Sequence, residues 1–326
     1  MMNKKIYTWL LLPVWLCLLA GMAGCSSEVV EDEGSLPSPD GGTYLNITAR
    51  GVVIDTPANA DDFEDYIQSI RVIGFNANNA IICNTLFKAE ESGNTKQWTS
   101  ADDDKITISN LLEEDTAVGT CTFYFIANEE GHNLTGQLTA STLTPSTLKT
   151  IPVTFTATEA QWKVSTPILM TGEIDCTIIP GKTVTMHVDL TRALAKAVIG
   201  GVTKSDVSVT PYSYRLTLFV PSSYTLFPSE NLPSTTDGSV NIEWAGSDTN
   251  LAPCYFPEGS GIAVTDLSIT ADKTYSTLAS SGALGDVSRN HEFTINLRLE
   301  EDPVQIGLAF EVQQWVGKDV IIPPFN

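Results

Sequence analysis

Hydrophobic and polar residues alternate in short runs, and one run just after residue 42 reads "TYLNITARGVVID". In its first half every second residue points the same way, which places Leu45, Ile47 and Ala49 on one face of an extended chain. A repeat of two is typical of a half-buried β-strand. The same run carries a trypsin-type bond, Arg50-Gly51, near the middle of the predicted strand.

Runs of the same kind recur along the chain, with turns between them. Before residue 190 they predict strands in "SIRVIGF", "AIICNTLF", "KITISNL", "TCTFYFIAN", "PVTFTA" and "IDCTIIPGKTVTMHVDL", and a small helical turn in "TPSTLKTI". From residue 190 they predict strands in "LTRALAKAVIGGVT", "YSYRLTLFVP", "SVNIEWAG", "LAPCYFPE", "AVTDLSITADKTYS", "HEFTINLRLE" and "QIGLAFEVQQW". This regular spacing indicates a mainly β protein built from sandwich-type sheets.

The N-terminus has the pattern of a lipoprotein signal peptide. Two lysines precede an apolar run over residues 6–20, and small residues then lead to Cys25. Residues 1–24 are therefore predicted to be removed, which leaves Cys25 acylated as the new N-terminus and holds the protein on the outer membrane. An ordinary signal peptide with an incidental cysteine is the alternative interpretation.

Residues 25–42 follow as an acidic tether rich in Ser, Pro and Gly, which cannot bury a core. Removal of the signal peptide takes away Lys4 and Lys5, so the formal net charge falls from −21 to −23. So acidic a chain is a poor partner for nucleic acid. The remaining length favours two β-rich domains, predicted at residues 43–182 and 183–326.

The sequence offers little that could support catalysis or metal binding. None of the three histidines stands at metal-ligand spacing, and motifs for nucleophilic catalysis or phosphate binding are absent. We predict no catalytic residue, no metal ligand and no cofactor. Trp98 could stack on a sugar or cap a core. Besides the acylated Cys25, four cysteines remain after processing, and all three of their pairings stay open: Cys83, Cys121, Cys176 and Cys254.

Five stretches together resemble one family, the fimbrillins of Bacteroidetes, which are subunits of type V pili. They are "FYFIANEE", "PILMTGE", "VDLTRALAKAVI", "SRNHEFTINLRL" and "FEVQQW", and they occur in the family's order behind a lipoprotein signal. The matching positions are Ala127, Asn128, Met170 to Glu173, Arg192, Ala195, Lys196, Arg289, Asn290, His291, Phe293 and Trp315.

The resemblance implies two tandem transthyretin-like β-sandwich domains and a structural role. Fimbrillins are exported as lipidated precursors, and an arginine-specific or trypsin-like protease removes the lipid and the first strand of the pilin members. A strand of the next subunit then fills the vacated groove. Carried over to this chain, Arg50-Gly51 is the candidate scissile bond. The plug that a donor replaces is formed by Leu45, Ile47 and Ala49.

The resemblance also implies partners and a location. Other fimbrial subunits would join this one in a head-to-tail polymer at the cell surface. Val320, Ile321 and Ile322 form the candidate donor tail, although Pro323 and Pro324 restrict it to short or edge pairing. Alternatives are an anchor or tip subunit that keeps its lipid, a monomeric surface lipoprotein that binds glycan through loop aromatics such as Trp98, and, third, an enzyme.

Overall fold

A computed structural model describes residues 44–50, 64, 66–102, 105–108, 112, 119–156, 167–246, 253–278 and 282–314. Within these ranges the protein is mainly β, as the alternating runs predicted. The predictions for the signal peptide, Cys25, the tether, Gly51 and the tail from Trp315 onward lie outside the described residues. No helix in the described ranges combines the length and the apolar character that a membrane crossing requires.

The first half of the chain forms two facing sheets. One has the strand order β10-β1-β6-β5, and the other has the order β11-β9-β7-β2-β3-β4. Their strands are β1 (Tyr44–Arg50), β2 (Ser69–Asn76), β3 (Ile81–Lys88), β4 (Thr95–Gln97), β5 (Ser100–Asp102), β6 (Lys105–Ile108), β7 (Gly119–Ala127), β9 (Met170–Ile178), β10 (Thr183–Asp189) and β11 (Thr191–Arg192); β8 (Pro152–Thr154) lies outside both sheets.

Both faces of β2 and of the second half of β7 are buried, which explains why these two central strands of the six-stranded sheet read as nearly continuous apolar runs. Along β7, Phe123 and Phe125 pack into the core between the two sheets. Tyr124 and Ile126 pack into a second core on the opposite face. This six-stranded sheet is therefore the central layer of the molecule.

The outer face of that sheet is covered by a short helical segment. It contains a 3-10 helix over Glu129–His132, α1 (Thr135–Leu138) and α2 (Pro145–Lys149). Thr144 caps α2 through a capping box with Thr147, and Pro145 occupies the first turn. The helical turn predicted in "TPSTLKTI" is thus confirmed. Leu148 projects from it into the core.

The second half forms another pair of sheets. The orders are β13-β12-β21-β22, with β17 beside β12, and β16-β14-β18-β19, with β20 beside β18. The strands are β12 (Leu194–Lys204), β13 (Val207–Ser208), β14 (Ser213–Pro221), β15 (Ser223–Thr225), β16 (Ser239–Gly246), β17 (Cys254–Pro257), β18 (Gly259–Thr270), β19 (Thr274–Tyr275), β20 (Gly282–Val287), β21 (His291–Glu301) and β22 (Val304–Gln314). The predicted alternation in "HEFTINLRLE" is confirmed, because Phe293, Ile295, Leu297 and Leu299 are all buried.

The predicted domain boundary between residues 182 and 183 falls directly before β10. β10 begins at Thr183, yet it hydrogen-bonds to β1 in the first sandwich. β11 likewise pairs with β9. The chain therefore leaves the first sandwich after Arg192, and β12 opens the second. The two-stranded sheet of β8 and β15 joins the halves again.

A buried ion pair lies between the six-stranded sheet and its helical cover. The guanidinium of Arg71 donates to both carboxylate oxygens of Glu129, at 2.5 and 2.7 Å, and Glu129 is fully buried. The Thr135 hydroxyl donates to the same carboxylate, and Arg71 also donates to Asn84. This network satisfies two charges that would otherwise be costly to bury.

We expect Glu129→Ala to lower the free energy of unfolding by about 3–5 kcal/mol, because it leaves the Arg71 charge buried and unpaired. Glu173→Ala is the matched control, since it breaks the ion pair with Lys149 at 2.7 Å, where both side chains are largely exposed. The control should cost no more than about 1 kcal/mol. Chemical denaturation of the three proteins measures both values, and equal losses would contradict the assignment.

Candidate functional site

β1 lies inside its sheet, between two partners that are distant in sequence. On one side it pairs parallel with β10, from Tyr44 opposite Thr183 to Arg50 opposite Asp189. On the other side it pairs antiparallel with β6, from Ile47 opposite Ile108 to Arg50 opposite Lys105. β1 is thus a central strand that lies close behind the predicted tether.

The side chain of Ile47 is fully buried in the core of the first sandwich. Its neighbours there include four other buried residues, namely Ile106, Ile108, Met186 and Val188. Leu45 and Ala49 take the register positions opposite Val184 and Val188. The structure therefore places the predicted plug residues in the strand that closes this core.

The described part of β1 reaches Arg50, opposite Asp189, and the prediction that Arg50 stands near the middle of a longer strand lies outside the described residues. All the described residues of β1 lie on the N-terminal side of the Arg50-Gly51 bond. Because β10 runs parallel to β1 and leads to Arg192, Arg50 is at the end of the first sandwich nearer the second. We call this end the junction and the opposite end of the first sandwich the rim.

Without β1 the four-stranded sheet would be divided. Among the described strands, β10 has no hydrogen-bonded sheet neighbour other than β1. β6 would keep the three-residue strand β5 alone. Loss of β1 would leave unpaired N–H and C=O groups along both walls of a groove, which is the arrangement that another strand can fill.

The polar residues of the family resemblance lie at the junction. Asn128 adopts a left-handed conformation with φ of 68° after β7. The side-chain nitrogen of Asn128 donates to the backbone carbonyls of Tyr66 and Ile168, and its side-chain oxygen accepts from the Gln68 N–H, all at 2.8 Å. One buried side chain therefore ties three segments together.

Glu64 connects the segment after β1 to the second sandwich. Its carboxylate accepts from Lys196 at 3.0 Å and from the Tyr255 hydroxyl at 2.5 Å. Its backbone carbonyl accepts from Arg192, which also donates to Asn290. Burial lowers the pKa of Arg192 to about 10, which still leaves the guanidinium charged at neutral pH. These residues have structural roles at the junction.

Arg289 forms the second polar contact at the junction. It pairs with Glu258 and donates to the carbonyls of Thr225 and Leu226, and both charged side chains are buried. Those carbonyls belong to the chain around β15, and β15 pairs with β8. Arg289 thereby fixes the position of β15 in the second half, and the β8–β15 pairing joins the two halves.

Cys121 and Cys176 lie directly opposite each other on β7 and β9. The N–H of Asn128 donates to Ser69 on the β2 side, so the odd-numbered residues of β7 bond toward β9. Cys121 and Cys176 are therefore a hydrogen-bonded pair, whose Cβ atoms stand farther apart than the roughly 3.8 Å of a disulfide. All four cysteines of the described residues are free thiols.

Trp98, His132 and His291 are further residues that could belong to a binding site, and the structure gives each of them a structural environment. The Trp98 side chain is 8% exposed within the core, so this tryptophan is not presented to a sugar. His132 and His291 interact with the backbone carbonyls of Pro167 and Arg289. In the part of the chain that the structure describes, no three His, Cys, Asp or Glu side chains are grouped to hold a metal ion.

Comparison with known proteins identifies the family. The model of the major fimbrial subunit protein (FimA) matches residues 44–214, slightly more than half of the chain. The chain belongs to this family. Its members are structural fimbrial subunits of the cell surface that assemble with other fimbrial subunits, and the family is not one of enzymes.

Solved structures share the fold. The C-terminally truncated tip fimbrial protein Mfa3 from Porphyromonas gingivalis has a TM-score of 0.57 at 14% identity, over 84% of this chain and 99% of that one. A putative cell adhesion protein from Bacteroides eggerthii scores 0.54 at 14%, over 86% and 98%. The fimbrilin FimA from P. gingivalis scores 0.52 at 12%, over 84% and 98%. No curated protein sequence matches the chain.

We expect Ile47→Ala to lower the free energy of unfolding by about 2–5 kcal/mol, because it empties a fully buried position in the core closed by β1. Val312→Ala is the control, since the Val312 side chain is 56% exposed, and it should change the value by no more than about 0.5 kcal/mol. Urea denaturation of both variants provides the comparison. A small effect at Ile47 would mean that β1 contributes little to the first sandwich.

We expect the four thiols to resist alkylation in the folded protein. Burial raises the pKa of Cys83 and Cys176 from 9.0 to about 12, and it also raises the pKa of Cys121 and Cys254. At pH 8 the thiolate fraction of the first two falls by about a thousandfold. Mass spectrometry of the mature chain, in which Cys17 has been removed and Cys25 is acylated, should find no rapid maleimide labelling until denaturant is added, and then four labels. Fewer than four would indicate a disulfide.

Proposed function

We propose that this subunit is exported as a lipidated precursor and joins a surface fimbria by exchanging β1 for a strand of another subunit. The fimbria would serve adhesion. The observation that carries the proposal is the interior position of β1, a strand from the N-terminal part of the chain that pairs on both sides with distant strands. Its removal opens one groove that is lined by backbone groups on both walls and by apolar side chains at its base.

Processing follows from the order of the parts. Cys25 carries the lipid, residues 25–42 form the tether, and β1 comes next, so a single cut at Arg50-Gly51 would release all three together. An arginine-specific or trypsin-like protease would make this cut after export to the outer membrane. In the precursor, before this cut, the first sandwich would extend from residue 43 to about Arg192, and the second sandwich would follow it.

The donor would come from the chain after β22, where Val320, Ile321 and Ile322 suit an extended strand. A donor strand that enters the next subunit makes a heterologous contact that does not close, so subunits add into a fibre. Pro323 and Pro324 each lack an N–H and would lie beyond the paired part of the strand. A subunit whose tail fails to donate would be an anchor or tip subunit, and it would keep its lipid if Arg50 stayed uncut.

Limited trypsin digestion of the folded protein tests the proposal. We expect one early product with Gly51 as its N-terminus by mass spectrometry, followed by fibres in electron microscopy. Arg50→Gln should stay intact at this site and monomeric. Arg215→Gln is the matched control, because Arg215 is an exposed arginine on another sheet, and it should behave as the wild type does.

A competing peptide separates cleavage from exchange. Excess peptide of residues 43–50 should slow fibre formation by refilling the groove, whereas the same peptide with Ile47→Asp should not. An early cut at Gly51 without fibres would leave an acceptor or tip subunit as the better description. An uncut Arg50 in a persistently monomeric protein would overturn the stalk-subunit proposal.

A further inference from the structure

Among the described strands, β22 pairs with β21 alone and so forms one edge of its sheet. With eleven residues it is the longest edge strand in the ranges that the structure describes. Its pairing with β21 runs without a register shift, from Val304 opposite Glu301 to Gln314 opposite His291. A long edge strand presents a row of N–H and C=O groups with which another strand can pair.

One contact shows which backbone groups of β22 point away from β21. The N–H of Ile306 donates to the carbonyl of Thr277 at 2.7 Å, and Leu278 lies beside Ile306 as an isolated bridge. Because these directions alternate along an antiparallel strand, the even-numbered residues of β22 direct their N–H and C=O groups outward. In the described part of the chain, four of these residues have no backbone hydrogen bond on that side: Leu308, Phe310, Val312 and Gln314.

The apolar side chains along this edge are incompletely covered. Leu308 and Phe310 pack against the core but remain half-buried, and Val312 on the same face is 56% exposed. β16, the long edge strand of the facing sheet, differs because its inward residues Ile242 and Trp244 are buried. An added strand would therefore cover apolar surface at β22 and little at β16.

The charges beside the edge point to a second copy of this chain as the partner. Arg298 of β21 is exposed opposite Gly307, and its side chain has neither an ion pair nor a hydrogen bond within the described residues. Glu311, opposite Thr294, is the one charged residue of β22. Arg298 and Glu311 of one chain share the outer face but lie about 14 Å apart along the strands. A second copy would bring each of them a partner of opposite sign.

Two-fold symmetry limits how two such edges can pair. An axis perpendicular to the sheet makes the two strands antiparallel and keeps apolar face with apolar face. With the axis at Phe310, Leu308 pairs with Val312 of the second copy and Phe310 pairs with its own equivalent. All of these residues direct their backbone groups outward, so each of the three pairs can exchange two N–H···O bonds. Glu311 then lies opposite a neutral residue, Ala309 of the second copy.

Neighbouring registers are less favourable. An axis one residue nearer the C-terminus would set Glu311 directly opposite its own equivalent, and like charges in that position destabilise a strand pair. An axis one residue nearer the N-terminus would bring Val312 of the second copy to Ile306, whose outward N–H already bonds to Thr277. In the register centred on Phe310, only the last residue of β22 reaches that position.

We propose that two copies of this chain pair side by side through the outer edges of β22, antiparallel and centred on Phe310. The two sheets then form one continuous sheet across the contact. Glu311 of each copy lies diagonally across Gly307 from Arg298 of the other, with about 12 Å between their Cα atoms, a span that an extended glutamate and arginine can bridge. The contact is symmetric and requires neither cleavage at Arg50 nor strand exchange, so it goes beyond the proposed function.

Sedimentation of the chain uncut at Arg50, with Cys25→Ser to prevent acylation, tests the contact. We expect a reversible dimer to form below about 1 mM. Val312→Asp should raise the dissociation constant of the dimer by at least about tenfold, because it places a charge beside Leu308 of the second copy. Val207→Asp is the matched control, since it adds the same charge to an exposed valine on β13, at the opposite edge of the same sheet. This control should stay within about twofold of the wild type.

An exchange of charges tests the pairing of Arg298 with Glu311. Arg298→Glu and Glu311→Arg should each weaken the dimer by about threefold or more, because like charges then face each other twice in every dimer. An equimolar mixture of the two variants should recover the affinity of the wild type, since the mixed dimer carries opposite charges at both contacts. No recovery in the mixture would contradict this pairing.

Disulfide cross-linking tests the register. In the proposed register, Ala309 and Glu311 of the second copy form a non-hydrogen-bonded pair, in which the two Cβ atoms are close enough for a disulfide. An oxidised mixture of Ala309→Cys and Glu311→Cys chains should give mixed covalent dimers, and each variant alone should give few. Efficient covalent homodimers of either variant would place the axis elsewhere and overturn the register.

Two outcomes would overturn the contact itself. One is a chain that stays monomeric up to about 1 mM. The other is a chain that dimerises only after residues 315–326 are removed, which would make its own tail the occupant of this edge. Fibre formation after cleavage at Arg50 is a separate measurement, so either result would leave the proposed function intact.

Discussion

The backbone pairing of β1 between β10 and β6 is the interaction on which the first sandwich depends. In many sheets a central strand is joined to a neighbour by a hairpin or a crossover. In this sheet one central strand is β1, which lies near the N-terminal end of the described chain and pairs with β10 and β6. β10 and the β5–β6 hairpin each have a hydrogen-bonded partner in β1, and Ile47 joins the core between them. One short segment therefore supplies both the pairing and part of the core.

The six-stranded sheet gives this arrangement its support. Its strands pair with one another independently of β1, and both of its faces are covered, one by the four-stranded sheet and one by the helical segment. The Arg71–Glu129 pair fastens the helical cover to it. Loss of β1 would therefore remove backbone pairing from the four-stranded sheet, while the strands of the six-stranded sheet would stay paired.

The junction joins the two sandwiches through polar side chains. Glu64 holds the chain that follows Arg50 against Lys196 and Tyr255 of the second sandwich, and Arg289 fastens the chain around β15. Tyr255 and Arg289 are buried, Glu64 and Lys196 are half-buried, and each has a polar partner, so the junction end is a built interface. The rim lies at the opposite end with exposed isoleucines. A subunit with one closed end and one open end suits a polar fibre, in which each contact is heterologous.

The sequence by itself determined the strands, because a repeat of two and a run of apolar residues are local properties that each segment carries. It also determined the helical turn in "TPSTLKTI" and the family, through short motifs that include three buried polar residues of the junction, Asn128, Arg192 and Arg289. Only the tertiary structure decided the partners of β1, the passage between the sandwiches after Arg192 and the burial of Trp98. Each of these depends on which distant segments meet, such as Tyr44 with Thr183, and no local pattern encodes a pairing across so long a stretch of chain.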